Sequence, residues 1–230
     1  MSDVSITLRI SPRRALGVMA VLIGVLVAAS TAAVGALALF RWPEGSLGYE
    51  CVKMFWLDTE NNLPTLYQSL ALGFAAALMF VVARVSPGLP PADRTRWRVL
   101  ASVFVFLALD EILRFHETVG DTSSFHFGAA GLAIYVPVAV LLVLYWIPLL
   151  RRLDGRLQRV LLVAAVLYVG GAGCIEVASQ LYAGVAGKAT PLYVVLATLE
   201  ETMEMAGIAV LVYALLDHLC KFQATPCSAP

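Results

Sequence analysis

The sequence predicts an all-α, polytopic membrane bundle of six transmembrane helices with both termini on the cytoplasmic side. Three observations predict it. Of 230 residues, 60% are hydrophobic and only 14% charged, against about 45–50% and about 25% in soluble domains, and the mean hydropathy is +0.83. Six apolar runs are long enough to cross a hydrocarbon core of ~30 Å. The basic residues fall predominantly on one side of those runs.

The runs lie near 15–40, 63–84, 97–117, 128–150, 159–184 and 191–217. The first is about twice as long as a signal-peptide core and reads as a retained helix. The second and third are separated by a Pro- and Arg-rich stretch. The fourth contains Pro137, which a membrane helix tolerates and which can kink it. The fifth is rich in glycine, and the sixth opens at Pro191. No internal repeat and no break in a helix is evident. Residues 1–222 thus read as a single transmembrane domain, and the small, polar residues 223–230 as a disordered cytoplasmic tail.

Orientation follows from Lys and Arg. Arg9, Arg13 and Arg14 precede the first run, and Arg84, Arg94, Arg96 and Arg98 lie between the second and third. Arg151, Arg152, Arg156 and Arg159 lie between the fourth and fifth, and Lys221 follows the sixth. Only Arg41, Lys53, Arg114 and Lys188 fall on the other side. This places the chain in a bacterial inner membrane, N-in and C-in. The net charge is zero, and no basic stretch calls for nucleic acid. The four cysteines, Cys51, Cys174, Cys220 and Cys227, share no oxidising compartment in this topology, so no disulfide is expected.

The informative residues are acids at membrane depth, which are costly and are rarely kept without a task. The third run carries Asp110 and Glu111, and ends at His116-Glu117. The fifth carries Glu176. The sixth carries Glu200, Glu201 and Glu204. At 1.5 Å per residue, Asp110 lies ~10 Å, Glu176 ~12 Å, Glu200 ~14 Å and Glu204 ~20 Å below the outer boundary. Helical turning of about 100° per residue groups Asp110, Glu111, Arg114 and Glu117 in one stripe, and sets Glu204 near Glu200. Ala172, Gly173, Ser179 and Ala183 share the face of Glu176, and small residues there permit close helix approach. The expected packing sets runs three, five and six around the acids and leaves one, two and four towards lipid. Gln68, Ser69 and Tyr67 of the second run lie on the same outer side and offer supporting hydrogen bonds.

Acids in low dielectric take up protons, pair with cations or bind metal. Arg114 balances one charge. The rest suit a divalent ion: Fe, Mn, Mg or Zn. The candidate ligands are Asp110, Glu111, Glu117, Glu176, Glu200, Glu201 and Glu204, with His116 and His126 at the outer mouth. The di-metal Glu-x-x-His pattern is absent, and a regular helix turns His116 about 240° from Asp110. Two other readings stand beside the metal site. One is a proton- or cation-coupled transporter. The other is an accessory or assembly subunit of a larger membrane complex, and a homo-oligomer is compatible with each. The simplest alternative, polar residues that only hold helices together, would sooner use Ser, Thr, Asn or Gln. The outer segment 41–62, with Trp42, Tyr49, Phe55 and Trp56 among acids, reads as an interfacial roof.

Asp110-Glu111-x4-His116-Glu117, Glu176 and Glu200-Glu201-x2-Glu204-Met205-x-Gly207 resemble motifs of a group of uncharacterised bacterial polytopic membrane proteins. The resemblance covers runs three to six and implies the fold and no particular activity.

Overall fold

The structure, a computed structural model, describes residues 10–113 and 129–222. All of its regular structure there is helical. α1 is Pro12–Phe40, α2 Leu47–Lys53, α3 Leu63–Val85, α4 Pro91–Leu113 and α5 Ala129–Leu150. α6 is Gly155–Val169, followed without a break by a π-helical segment, Gly170–Ile175, and by α7, Glu176–Ala186. α8 is Pro191–Cys220. Four stretches are long and apolar enough to cross a membrane: Pro12–Phe40, Leu63–Val85, Gly155–Ala186 and Pro191–Cys220. Val140–Leu150 is a shorter apolar stretch.

Helix starts follow from local chemistry. Asn62 accepts a hydrogen bond from Thr65 N and caps α3, with Pro64 in its first turn. Thr190 caps α8 by accepting from Tyr193 N, with Pro191 in the first turn, and Asp154 caps α6. Pro at the first turn costs no hydrogen bond, because the N–H it lacks has no partner there. α4 begins six residues before the expected position. Its first turn carries Asp93, 1% exposed, whose carboxylate accepts from Arg96 Nη1 at 2.6 Å and from Arg152 Nη1 at 2.9 Å. That neutralised cluster lets a charged turn continue the helix.

The core lies where α3, α4, α6 and α8 meet. Leu72, Ala75, Met79 and Val82 of α3 pack with Trp97 and Ala101 of α4, Leu157 and Leu161 of α6, and Ile208, Val212 and Leu215 of α8. The second run is therefore a central helix, not a lipid-facing one. Its small residues Ala71, Ala75, Ala76 and Ala83 are all buried and let two neighbours approach. α1 packs on α8 through Ile23, Met205 and Ala209 and exposes most of its other residues.

The outer segment after α1 contains the short helix α2 and a loop fastened to the bundle. Leu57 N donates to Ser30 Oγ at 3.0 Å, and Tyr193 Oη donates to Asp58 Oδ1 at 2.9 Å. Asn62 Nδ2 donates to the carbonyl of Trp56 at 2.7 Å. Cys51 and Cys174 are free. Cys220 is disulfide-bonded, against the expectation, and the tail 223–230 lies outside the described residues.

A candidate intramembrane carboxylate site

Three acid-bearing helices and α3 converge in the half of the bundle on the side of the segment 41–62. Close approach makes this possible. A Cβ on Gly171 would lie 2.8 Å from the carbonyl oxygen of Glu200 and 3.1 Å from Cγ of Glu204. One on Gly207 would lie 2.7 Å from Tyr168 N and 3.0 Å from Ala164 O. The stretch Gly155–Ala186 thus presses its backbone onto α8 on either side of Glu204. Ser69 Oγ donates to Ala108 O at 2.7 Å and locks α3 to α4 beside Asp110.

The centre of the arrangement is Gln68, only 3% exposed. Its Nε2 donates to Glu204 Oε2 at 2.8 Å and to Glu111 Oε1 at 3.1 Å. One amide nitrogen therefore joins carboxylates from α4 and α8. Its Oε1 is buried and, among the described residues, has no hydrogen-bond partner. The neighbouring Tyr67 hydroxyl is likewise buried without a partner. The Gln68 hub was foreseen only as a supporting group, although a Gln inside an apolar run is a signal comparable to an acid.

A second pairing lies nearer the outside. Ser179 Oγ bonds Glu200 Oε2 at 3.0 Å and the carbonyl of Glu176 at 2.9 Å. Ser179 is 1% exposed. The π-helical Gly170–Ile175 immediately precedes Glu176. Segments of this kind are rare and concentrate at functional sites. They also count as a break in the regular helix, which the sequence reading did not anticipate.

The expected acids are thus brought together in part. Glu204 lies within electrostatic reach of Glu111, Glu200 and Glu176. Tyr168 of α6 lies within reach of Glu204, Glu111, Glu201 and Asp110. Asp110 and Glu204 are buried, while Glu111, Glu176, Glu200 and Glu201 are half-buried. Arg114, His116, Glu117 and His126 lie outside the described residues. Among the described residues, no three His, Cys, Asp or Glu side chains converge as a ready metal cage. Glu111 and Glu204 are instead joined through the Gln68 amide.

Above this layer sits Asp58, in the loop outside the spans. Burial raises its carboxyl above the usual range, and the Tyr193 hydroxyl and the charge of Lys188 oppose that rise. The Lys188 ammonium lies 5.8 Å from the Tyr193 ring centroid. The outer loop is thereby held over the end of α8 that leads to Glu200.

Fold and site together define a helical membrane protein with an acid-rich interior. Residues 16–219 match the family described as a domain of unknown function, DUF8692. The chain belongs to that family. No curated protein and no solved structure matches it.

Proposed function

We propose that this protein is a six-span bacterial inner-membrane protein, with both termini cytoplasmic, whose intramembrane carboxylates hold a divalent metal ion. The observation that carries the reading is the unpartnered Oε1 of Gln68 beside Glu111 and Glu204. A buried acceptor left unmade costs about 1–3 kcal/mol, and a bound cation would satisfy it. Glu111 and Glu204, which accept from Nε2 of the same amide, bring carboxylate oxygens from two further helices. Oxygen ligands of this kind suit Mg or Mn better than Zn. Asp110, Glu176, Glu200 and Glu201 surround that set, and His116, Glu117 and His126 belong to the proposed outer mouth. An enzyme built on such an ion would act as a Lewis acid or redox centre on a small or membrane-borne substrate.

The test is elemental analysis of protein purified in mild detergent. The expected result is near-stoichiometric Mg or Mn that is lost on Glu111→Gln with Glu204→Gln. Trace metal, unchanged by the double substitution, overturns the reading.

One observation favours a second reading, proton- or cation-coupled transport. The π-helical Gly170–Ile175 is an irregular backbone at membrane depth next to an acid, and transporter sites use interrupted helices in this way. Flux into liposomes that Glu176→Gln and Glu204→Gln abolish, without stoichiometric metal, would select it.

A further inference from the structure

α4 buries one face and leaves the opposite one open. Asp93, Trp97, Ala101 and Ala108 are buried and face α3 and the bundle core. Thr95, Arg98, Ser102 and Phe106 recur at three- and four-residue intervals on the other side. With Val138 and Leu142 of α5 they line an open groove of about 430 Å³. That volume falls within the range of small-molecule sites, about 300–1,000 Å³.

The groove is graded along its length. Thr95 and Arg98 stand at the α4 N-terminal end, and Val138 and Phe106 stand deeper. Arg98 and Phe106 are eight residues apart, which is ~12 Å along the helix. The polar end lies level with an aromatic group. Trp97 and Trp146 meet edge to face at 5.4 Å, and the Arg96 guanidinium lies 5.6 Å from the Tyr145 ring centroid.

Charge then selects the occupant. Arg96 and Arg152 are both bound to Asp93, Arg156 lies 3.7 Å from Asp217, and Lys221 pairs with Asp154. Arg98 is exposed and, among the described residues, makes no ion pair with an acid. A guanidinium at one end of an apolar channel between two helices complements a phosphate joined to an acyl chain.

We propose that the groove between α4 and α5 binds an anionic glycerophospholipid, its phosphate on Arg98 and one acyl chain along Phe106, Val138 and Leu142. The site is separate from the carboxylate cluster and does not depend on its function.

The test is native mass spectrometry of the full chain after detergent extraction, with phosphatidylglycerol and phosphatidylethanolamine of identical acyl chains titrated in parallel. Wild type should retain phosphatidylglycerol preferentially. Arg98→Gln should weaken that retention about fivefold, the worth of one basic residue at a membrane surface, and weaken phosphatidylethanolamine less, because its own ammonium already offsets the phosphate. Arg98→Lys should keep the preference. Val138→Trp should fill the groove and remove both lipids. Equal retention of the two lipids by wild type overturns the proposal. So does equal weakening by Arg98→Gln and by Arg84→Gln, an exposed arginine outside the groove, because that would mean a diffuse surface charge.

Discussion

Gln68 Nε2 lies 2.8 Å from Glu204 and 3.1 Å from Glu111, so a single amide on α3 ties acids of α4 and α8 to one point. Replacing it with Leu keeps the bulk and removes the donor. Both carboxylates then lose a buried partner, at a cost of about 1–3 kcal/mol. The expected outcome is a lower thermal midpoint in detergent for Gln68→Leu. An unchanged midpoint would show that the bridge contributes nothing.

Close approach of the stretch Gly155–Ala186 to α8 predicts a sharp contrast among glycines. Gly171→Ala and Gly207→Ala place a Cβ within 2.8 Å of backbone atoms, whereas Gly73 and Gly173 have nothing within 4 Å. The first two substitutions should each cost about 1–3 kcal/mol through overpacking. Gly73→Ala and Gly173→Ala should be neutral or slightly stabilising. Thermal unfolding of the four variants side by side checks this, and a uniform response would refute the tight contact.

Asp93 is buried and bound by two arginines from different elements. Asp93→Ala removes both charge-assisted bonds, which are worth about 1.5–3 kcal/mol each when buried. Arg152 is largely exposed, so its share is smaller. A net loss of about 2 kcal/mol is expected, with greater protease sensitivity near Pro91 and Arg152. Resistance equal to wild type at both places would contradict a clamp.

Asp58 gives a pH signature. Its folded-state carboxyl titrates above the ordinary value of 3.8 because it is buried. The stability linked to that raised group is fully present below the unfolded value and is lost as pH rises through the folded value. Asp58→Asn keeps an acceptor for the Tyr193 hydroxyl and removes the ionisation. The variant should be more stable than wild type at neutral pH, with the difference shrinking as pH falls and vanishing below about 3.8. Thermal melts across that range measure it, and a gap independent of pH would count against the assignment.

Much of the fold was legible because hydrophobic runs and their caps bound the helices. Run 63–84 became Leu63–Val85, and 191–217 became Pro191–Cys220. What hydropathy could not give was which helices are central. Lipid and protein interior are equally apolar, so Ala71, Ala75 and Leu72 carry no mark distinguishing them from lipid-facing residues. The start of α4 was missed because Asp93 and Arg96 look like loop until Arg152, 59 residues after Asp93, joins Arg96 on the buried carboxylate. In the site, the acids announced themselves one by one. The joining role of Gln68 did not, because it depends on distances between residues 43 and 136 positions apart.

The π-helical Gly170–Ile175 has a bearing on how this chain can change by insertion and deletion. A wide turn takes up one residue more than an α-turn, so the helix after it keeps the phase of a plain α-helix one residue shorter. Deleting Ala172 would let an ordinary α-helix form and would leave Glu176 and Ser179 on the same face. The same deletion within α6, where no wide turn absorbs it, would swing Glu176 and Ser179 about 100° around the axis and part the hydroxyl from Glu200. Where along this stretch a codon is lost, more than which residue it encodes, therefore decides whether the acid pairing survives.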